Sequence, residues 1–153
     1  MLYSFEYSGI GISNTEVEAI NSFKEKYFRK LIEYCQNENI TLILAKTPRC
    51  DWTVEKHNAI EEIANEYGID FLDYNCTELY NESGFDAQMD FKDSGHLNIT
   101  GALKLTNNFI GYLQSNCQLV DHRSDKQYSS EDLSLTNMVA DQSDETVSTI
   151  VKV

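Results

Sequence analysis

The sequence predicts an α/β domain built on a parallel sheet, and three stretches carry that expectation. Residues 40–46 (ITLILAK) form an apolar run with β-branched members, the pattern of a strand buried on both faces. From Val54 a helix places Ile60, Ile63, Ala64 and Tyr67 on one face, and Gly68 stops it. Residues 70–74 (DFLDY) make a second short strand. Residues 40–74 therefore read as one βαβ unit, with the right-handed crossover that parallel neighbours adopt.

The flanking elements follow in order. Residues 1–14 are irregular, rich in Ser, Gly and Tyr without a clear period. Thr15 and Glu18 have capping-box spacing, so a helix is expected from Thr15 to about Asn37. Its apolar face would carry Ile20, Phe23, Tyr27, Leu31 and Cys35. Pro48, the only proline, ends the first strand because it cannot donate to a ladder. Residues 75–95 are expected to be one long loop, a length that is usually functional. Asn98 or Thr100 would cap a third helix running to about Ser115, with Ala102, Leu105, Phe109 and Leu113 facing inward. Residues 118–153 are rich in Ser, Asp, Gln and Thr and read as a weakly ordered acidic tail, with an edge strand at 147–153.

Three helices and two strands do not close a doubly wound sheet. The pattern is that of the second half of an α/β domain, occupying residues 15–117. The uncovered surface would be met by another chain, by self-association through the incomplete sheet, or by strands from the N-terminal stretch and the tail.

Composition narrows the function classes. The 153 residues carry 25 acids against 12 bases, a formal net charge of -13. Such a field repels phosphate backbones and anionic lipid, so nucleic-acid binding is not expected. No apolar run approaches the length of a bilayer span, and the first 23 residues lack a basic start followed by an apolar block. The compartment stays open. Cys35, Cys50, Cys76 and Cys117 have neither zinc-knuckle nor C-x-x-C spacing and read as free thiols. The sequons at Asn75 and Asn98 match a pattern common by chance.

Chemistry concentrates in residues 90–106, DFKDSGHLNITGALKLT. His96 follows Asp93 by three residues. A carboxylate that close can bond one imidazole nitrogen, fix the tautomer and leave the other nitrogen as a general base. The plainer alternative is a solvated acid beside a surface histidine. Arg49 and Trp52 lie at the carboxyl end of a strand, where α/β folds bind ligands, and Asn98 adjoins the motif; these three are candidate substrate contacts. His57, at a helix start, reads as solvated or capping, and His122 as part of a surface charge cluster. Asp73, Asp90 and Asp93 could gather a hard cation, but their spacing matches no cation loop. Lys104 reads as a solvated residue.

Residues 41–113 resemble the C-terminal half of SGNH/GDSL-type hydrolases, in particular the bacterial branch related to cell-envelope acyltransfer proteins. The resemblance rests on LILAKTPRCDW (42–52), HNAIEEIANEYGIDFLDYN (57–75) and GFDAQMDFKDSGHLNITGALK (84–104), with DHRSD (121–125) beyond. The D-x-x-H-L-N-x-x-G-A block is its most specific part. The resemblance implies a three-layer α/β/α flavodoxin-like fold, incomplete at the N-terminus. It also implies a Ser-His-Asp triad with His96 as base and Asp93 as its orienting carboxylate. The substrate would be a small-molecule or glycan ester, with no cofactor and no metal. Relatives of this kind are often envelope-associated or extracytoplasmic. The family's Gly-Asp-Ser nucleophile block and its oxyanion Gly and Asn blocks have no match in this chain. Ser8 and Ser13, the nearest serines of interest, do not follow a buried strand. Two readings result: the C-terminal part of a serine esterase or O-acyltransferase, or a degenerate, non-catalytic SGNH-like binding module.

Overall fold

The structure, a computed structural model, describes residues 7, 9–122 and 124. Ser8 and nearly all of the expected tail, with its edge strand at 147–153, lie outside the described residues. The chain divides into two compact units, Met1–Tyr112 and Leu113–Val153. No described helix is long and apolar enough to cross a membrane.

Helix α1 spans Ser22–Asn37, seven residues later than the capping box suggested. Asn21 is its cap, accepting from the Phe23 and Lys24 amides at 3.1 and 3.3 Å. The preceding segment is used otherwise. The carbonyls of Asn14 and Glu16 both accept from the Asn58 side chain, at 3.0 and 2.7 Å, and the Glu18 amide bonds the Glu55 carbonyl. Those bonds pin the segment to residues 55 and 58 and take the Asn14 and Glu16 carbonyls that a first helical turn would use.

The inward face of α1 also differs from expectation. Ile32 and Cys35 are buried, whereas Phe23, Tyr27, Leu31 and Tyr34 are exposed. Two apolar stripes at helical spacing share this helix. The stripe of Phe28, Ile32 and Cys35 turns inward, on the side where Arg29 meets Glu66, the Tyr67 hydroxyl meets Glu33, and Gln36 meets the Tyr67 carbonyl.

Strand β1 is Ile43–Lys46 and β2 is Asp70–Asp73; they pair in parallel, Ile43 opposite Asp70 and Lys46 opposite Asp73. Helix α2, Val54–Tyr67, connects them. Thr53 caps its start, and Gly68 ends it at φ 64°, a left-handed conformation that glycine reaches without a Cβ clash. The βαβ reading therefore holds. The expectation of a first strand buried on both faces does not, since Ala45 is exposed and its neighbours are half-buried. Among the described residues β1 has β2 as its one strand neighbour.

Alternate residues of β2 serve opposite faces, as the period of two requires. Phe71 stacks on the His57 ring of α2 and Asp73 bonds the same ring. Leu72 and Tyr74 enter the main core with Tyr80, Phe85, Ala87, Phe91 and Leu105.

The expected loop at 75–95 is largely ordered into short elements. Helix α3 is Thr77–Glu82, helix α4 is Ala87–Asp90 capped by Asp86, and strand β3 is Phe91–Asp93. Helices of six and four residues are too short to show a period. Tyr80, Phe85 and Phe91 meet edge-to-face and bury the segment. Strand β4, His96–Leu97, pairs antiparallel with β3 through the two-residue turn Ser94–Gly95.

Helix α5, Ile99–Asn116, starts at once after this hairpin. Asn98 caps it, accepting from the Gly101 amide at 3.0 Å and donating to the Met89 carbonyl at 2.6 Å. Gly101 lies against Asp90 so closely that a Cβ would stand 2.5 Å from the Asp90 carbonyl oxygen. Ala102, expected inward, is exposed, while Leu105 is buried. Lys104 is not solvated: its ammonium bonds the fully buried Asp90 carboxylate at 2.6 Å. Among its described residues the N-terminal stretch adds one parallel bridge, Ile10 to Cys76.

Candidate functional site

The hairpin turn builds the first site. Asp93 and His96 are cross-strand partners. The Asp93 carboxylate accepts from the Gly95 amide at 3.0 Å, closing an Asx-turn, and from His96 Nδ1 at 2.8 Å with the same Oδ1. The backbone reversal that D-S-G-H encodes is thus what returns the imidazole to the acid. With Nδ1 donating, Nε2 is the proton acceptor and faces outward. The Gly95 amide and His96 hold Asp93 below the usual carboxylate range. The pair is open, the side chains of His96 and Asp93 being 75% and 51% exposed. Among the described residues no serine hydroxyl bonds His96.

This hairpin sits beside the loop that leaves β1. The Cys50 amide donates to the Ser94 carbonyl at 3.0 Å. The Arg49 guanidinium lies 3.3 Å from where a Gly95 Cβ would be. Arg49 is itself held by Asp51 through two bonds of 2.8 and 3.0 Å. Of the expected site residues, then, Asp93, His96 and Arg49 come together at the carboxyl end of β1. Asn98 spends both polar side-chain atoms on the chain itself, as the α5 cap. Trp52 is turned to β2: its indole N–H donates to Asp73 Oδ2 at 2.7 Å, and the Lys46 ammonium covers its ring at 4.7 Å.

A second, buried constellation went unread in the sequence. Asp73, at the end of β2, accepts from four donors. Its Oδ2 takes Trp52 and His57 Nδ1, at 2.7 and 2.8 Å. Its Oδ1 takes the Asn75 amide and side chain, at 2.9 and 2.7 Å. Asn75 in turn accepts from the Tyr7 hydroxyl and the Arg49 amide and donates to the Thr47 carbonyl. The Cys76 thiol sits 3.3 Å from His57 Nδ1, and His57 Nε2 faces Glu61 at 3.5 Å.

His57 is 5% exposed, so the expected solvated or capping role is wrong. Its ring stacks on Phe71 and is fixed by Asp73. Burial pushes Asp73 up, but His57, Asn75 and Trp52 outweigh it and hold the carboxyl below its usual range. The Asp73 bond raises His57 against the opposing effect of burial. Burial, reinforced by Asp73, Glu61 and Glu78, pushes the Cys76 thiol up to about 12. Cys76 is therefore no ready nucleophile. Nor is this a relay, because thiol and carboxylate address the same imidazole nitrogen.

The acids once grouped as a hard-cation candidate separate. Asp73 is in this network, Asp90 bonds Lys104 and Asp93 bonds His96. The one sequence signal for the network was D-Y-N-C at the end of a parallel strand, where alternate residues Asp73 and Asn75 share a face. No family model, curated protein or solved structure matches the chain.

Proposed function

We propose that residues 15–117 are the C-terminal part of an SGNH-type serine esterase or O-acyltransferase with a three-layer, flavodoxin-like fold. Its substrate is an acylated carbohydrate or envelope polymer. The observation that carries this reading is the 2.8 Å contact between His96 Nδ1 and Asp93 Oδ1, which frees Nε2 beside the carboxyl end of a parallel strand. In the proposed reaction Nε2 takes the proton of a serine hydroxyl as that oxygen attacks the ester carbonyl. The resulting imidazolium gives the proton to the departing alkoxide, leaving an acyl-serine. Water or a carbohydrate hydroxyl then repeats the sequence and releases the acyl group. Asp93 holds the tautomer and stabilises the imidazolium. The serine and the oxyanion donors come from outside residues 15–117.

A second reading is favoured by the exposure of His96 and the lack of a serine on it among the described residues. It makes the chain a non-catalytic SGNH-like binding module. p-Nitrophenyl acetate turnover by the complete polypeptide separates the two. On the first reading His96→Ala lowers turnover about 10²–10⁴-fold; undiminished turnover in that variant overturns it. A serine adduct of a fluorophosphonate probe on this chain overturns the second.

A further inference from the structure

Outside the Asp93–His96 site, three side chains with metal-binding atoms meet at one point. His57 Nδ1, Asp73 Oδ2 and Cys76 Sγ all lie within 4.8 Å of one another. They come from the first turn of α2, the last residue of β2 and the N-cap of α3. We propose that His57, Asp73 and Cys76 bind a borderline-soft divalent cation of the zinc or cobalt class, through one nitrogen, one oxygen and one sulfur.

The distances suit such an ion. Around a tetrahedral zinc the nitrogen–oxygen and nitrogen–sulfur edges are roughly 3.4 and 3.6 Å, from bond lengths of about 2.0–2.3 Å. The observed separations are 2.8 and 3.3 Å. Expansion by about 0.6 Å on the oxygen side and about 0.3 Å on the sulfur side admits the ion, which takes the place of the Nδ1 hydrogen. That hydrogen moves to Nε2, where it faces Glu61, and the thiol hydrogen leaves to solvent as a proton.

The surroundings carry the outer half of a metal site. A histidine that binds metal through one nitrogen characteristically offers the other to a carboxylate, and ligating carboxylates are themselves hydrogen-bonded. Here His57 Nε2 faces Glu61 Oε2 at 3.5 Å, and Asp73 is locked by Trp52 and by two bonds from Asn75. Cys76 as a whole residue is half-buried. Three protein ligands leave one position to solvent. The proposal is independent of the esterase reading, and none of its three ligands belongs to that site.

The test is a titration of chelator-treated protein with cobalt(II) alone, followed by its visible and near-ultraviolet spectrum. One equivalent is expected to give tetrahedral d–d bands and a thiolate charge-transfer band, and zinc is expected to displace both. Cys76→Ser removes the charge-transfer band, while Cys50→Ser and Cys117→Ser keep it. Glu61→Gln, which leaves every ligand in place, weakens binding about tenfold or more. A wild-type titration without saturable one-equivalent binding overturns the site, as does a charge-transfer band that survives Cys76→Ser. The wild-type titration decides the matter even if a ligand variant does not fold.

Discussion

The Asn75 side chain donates to the Asp73 carboxylate at 2.7 Å with both residues out of solvent, at 0% and 2% exposure. Asn75 also takes the Tyr7 hydroxyl and the Arg49 amide. One amide thus fastens the N-terminal stretch, the loop after β1 and the end of β2. Asn75→Ala strips these partners at once and leaves buried groups unmet, each costing about 1–3 kcal/mol. A loss of about 3 kcal/mol in urea unfolding is expected, and a loss below about 1 kcal/mol would refute the hub.

The exposed Asp93–His96 pair calls for the opposite signature. Asp93→Asn keeps the Oδ1 acceptor for the turn and for His96 Nδ1 but removes the charge that stabilises the imidazolium. On the proposed esterase reading, turnover of the complete polypeptide is expected to fall about a hundredfold or more, with the thermal midpoint unmoved. Equal losses of stability and turnover would make the pair a turn device alone.

Lys104 and Asp90 form the pair whose removal hurts the fold. Asp90 is fully buried, its Oδ1 has no partner among the described residues, and Lys104 bonds its Oδ2. Lys104→Met leaves that charge uncompensated and is expected to cost about 3–5 kcal/mol. Adding Asp90→Asn should recover part of the loss, a coupling that a double-mutant cycle reads directly.

The two stripes of α1 give a paired comparison. Ile32→Ala empties a fully buried site and is expected to cost about 2–5 kcal/mol. Phe23→Ser, on the exposed stripe, should change stability by less than about 0.5 kcal/mol. Similar losses at both positions would mean that the exposed stripe is covered.

The Arg49–Asp51 pair sets an acid limit. The guanidinium bond lowers the Asp51 carboxyl to about 2. A depressed carboxyl contributes stability above its unfolded value, about 3.9, and loses it as pH falls through the folded one. Wild type should therefore exceed Asp51→Asn by a small margin at neutral pH, reduced by solvent screening of an exposed pair. The margin should close between about pH 4 and 2; a margin that widens there would contradict the pairing.

Much of this fold was legible where a period or a stop signal ran long enough. Val54–Tyr67 with Gly68, and the parallel partners 43–46 and 70–73, could be read directly. Asp93 beside His96 could be read because three residues cannot carry them far apart. The buried network could not: His57 and Asp73 are 16 positions apart, and only the crossover of α2 against β2 brings them into contact. The α1 register failed for another reason. Two stripes of similar apolarity occupy one helix, and which faces inward depends on Glu66 and Tyr67, far along the chain. Segments such as Thr77–Glu82 were hidden because their order comes from aromatic packing, not repetition.

Gly101 carries a responsibility that no side chain could. A single hydrogen is all that separates the start of α5 from the Asp90 backbone. The carbonyl that a side chain there would strike is the one that accepts from the Asn98 amide, two residues after His96. A methyl at that position would have to displace Asp90 and the Phe85 ring, and with them the junction between the hairpin and α5.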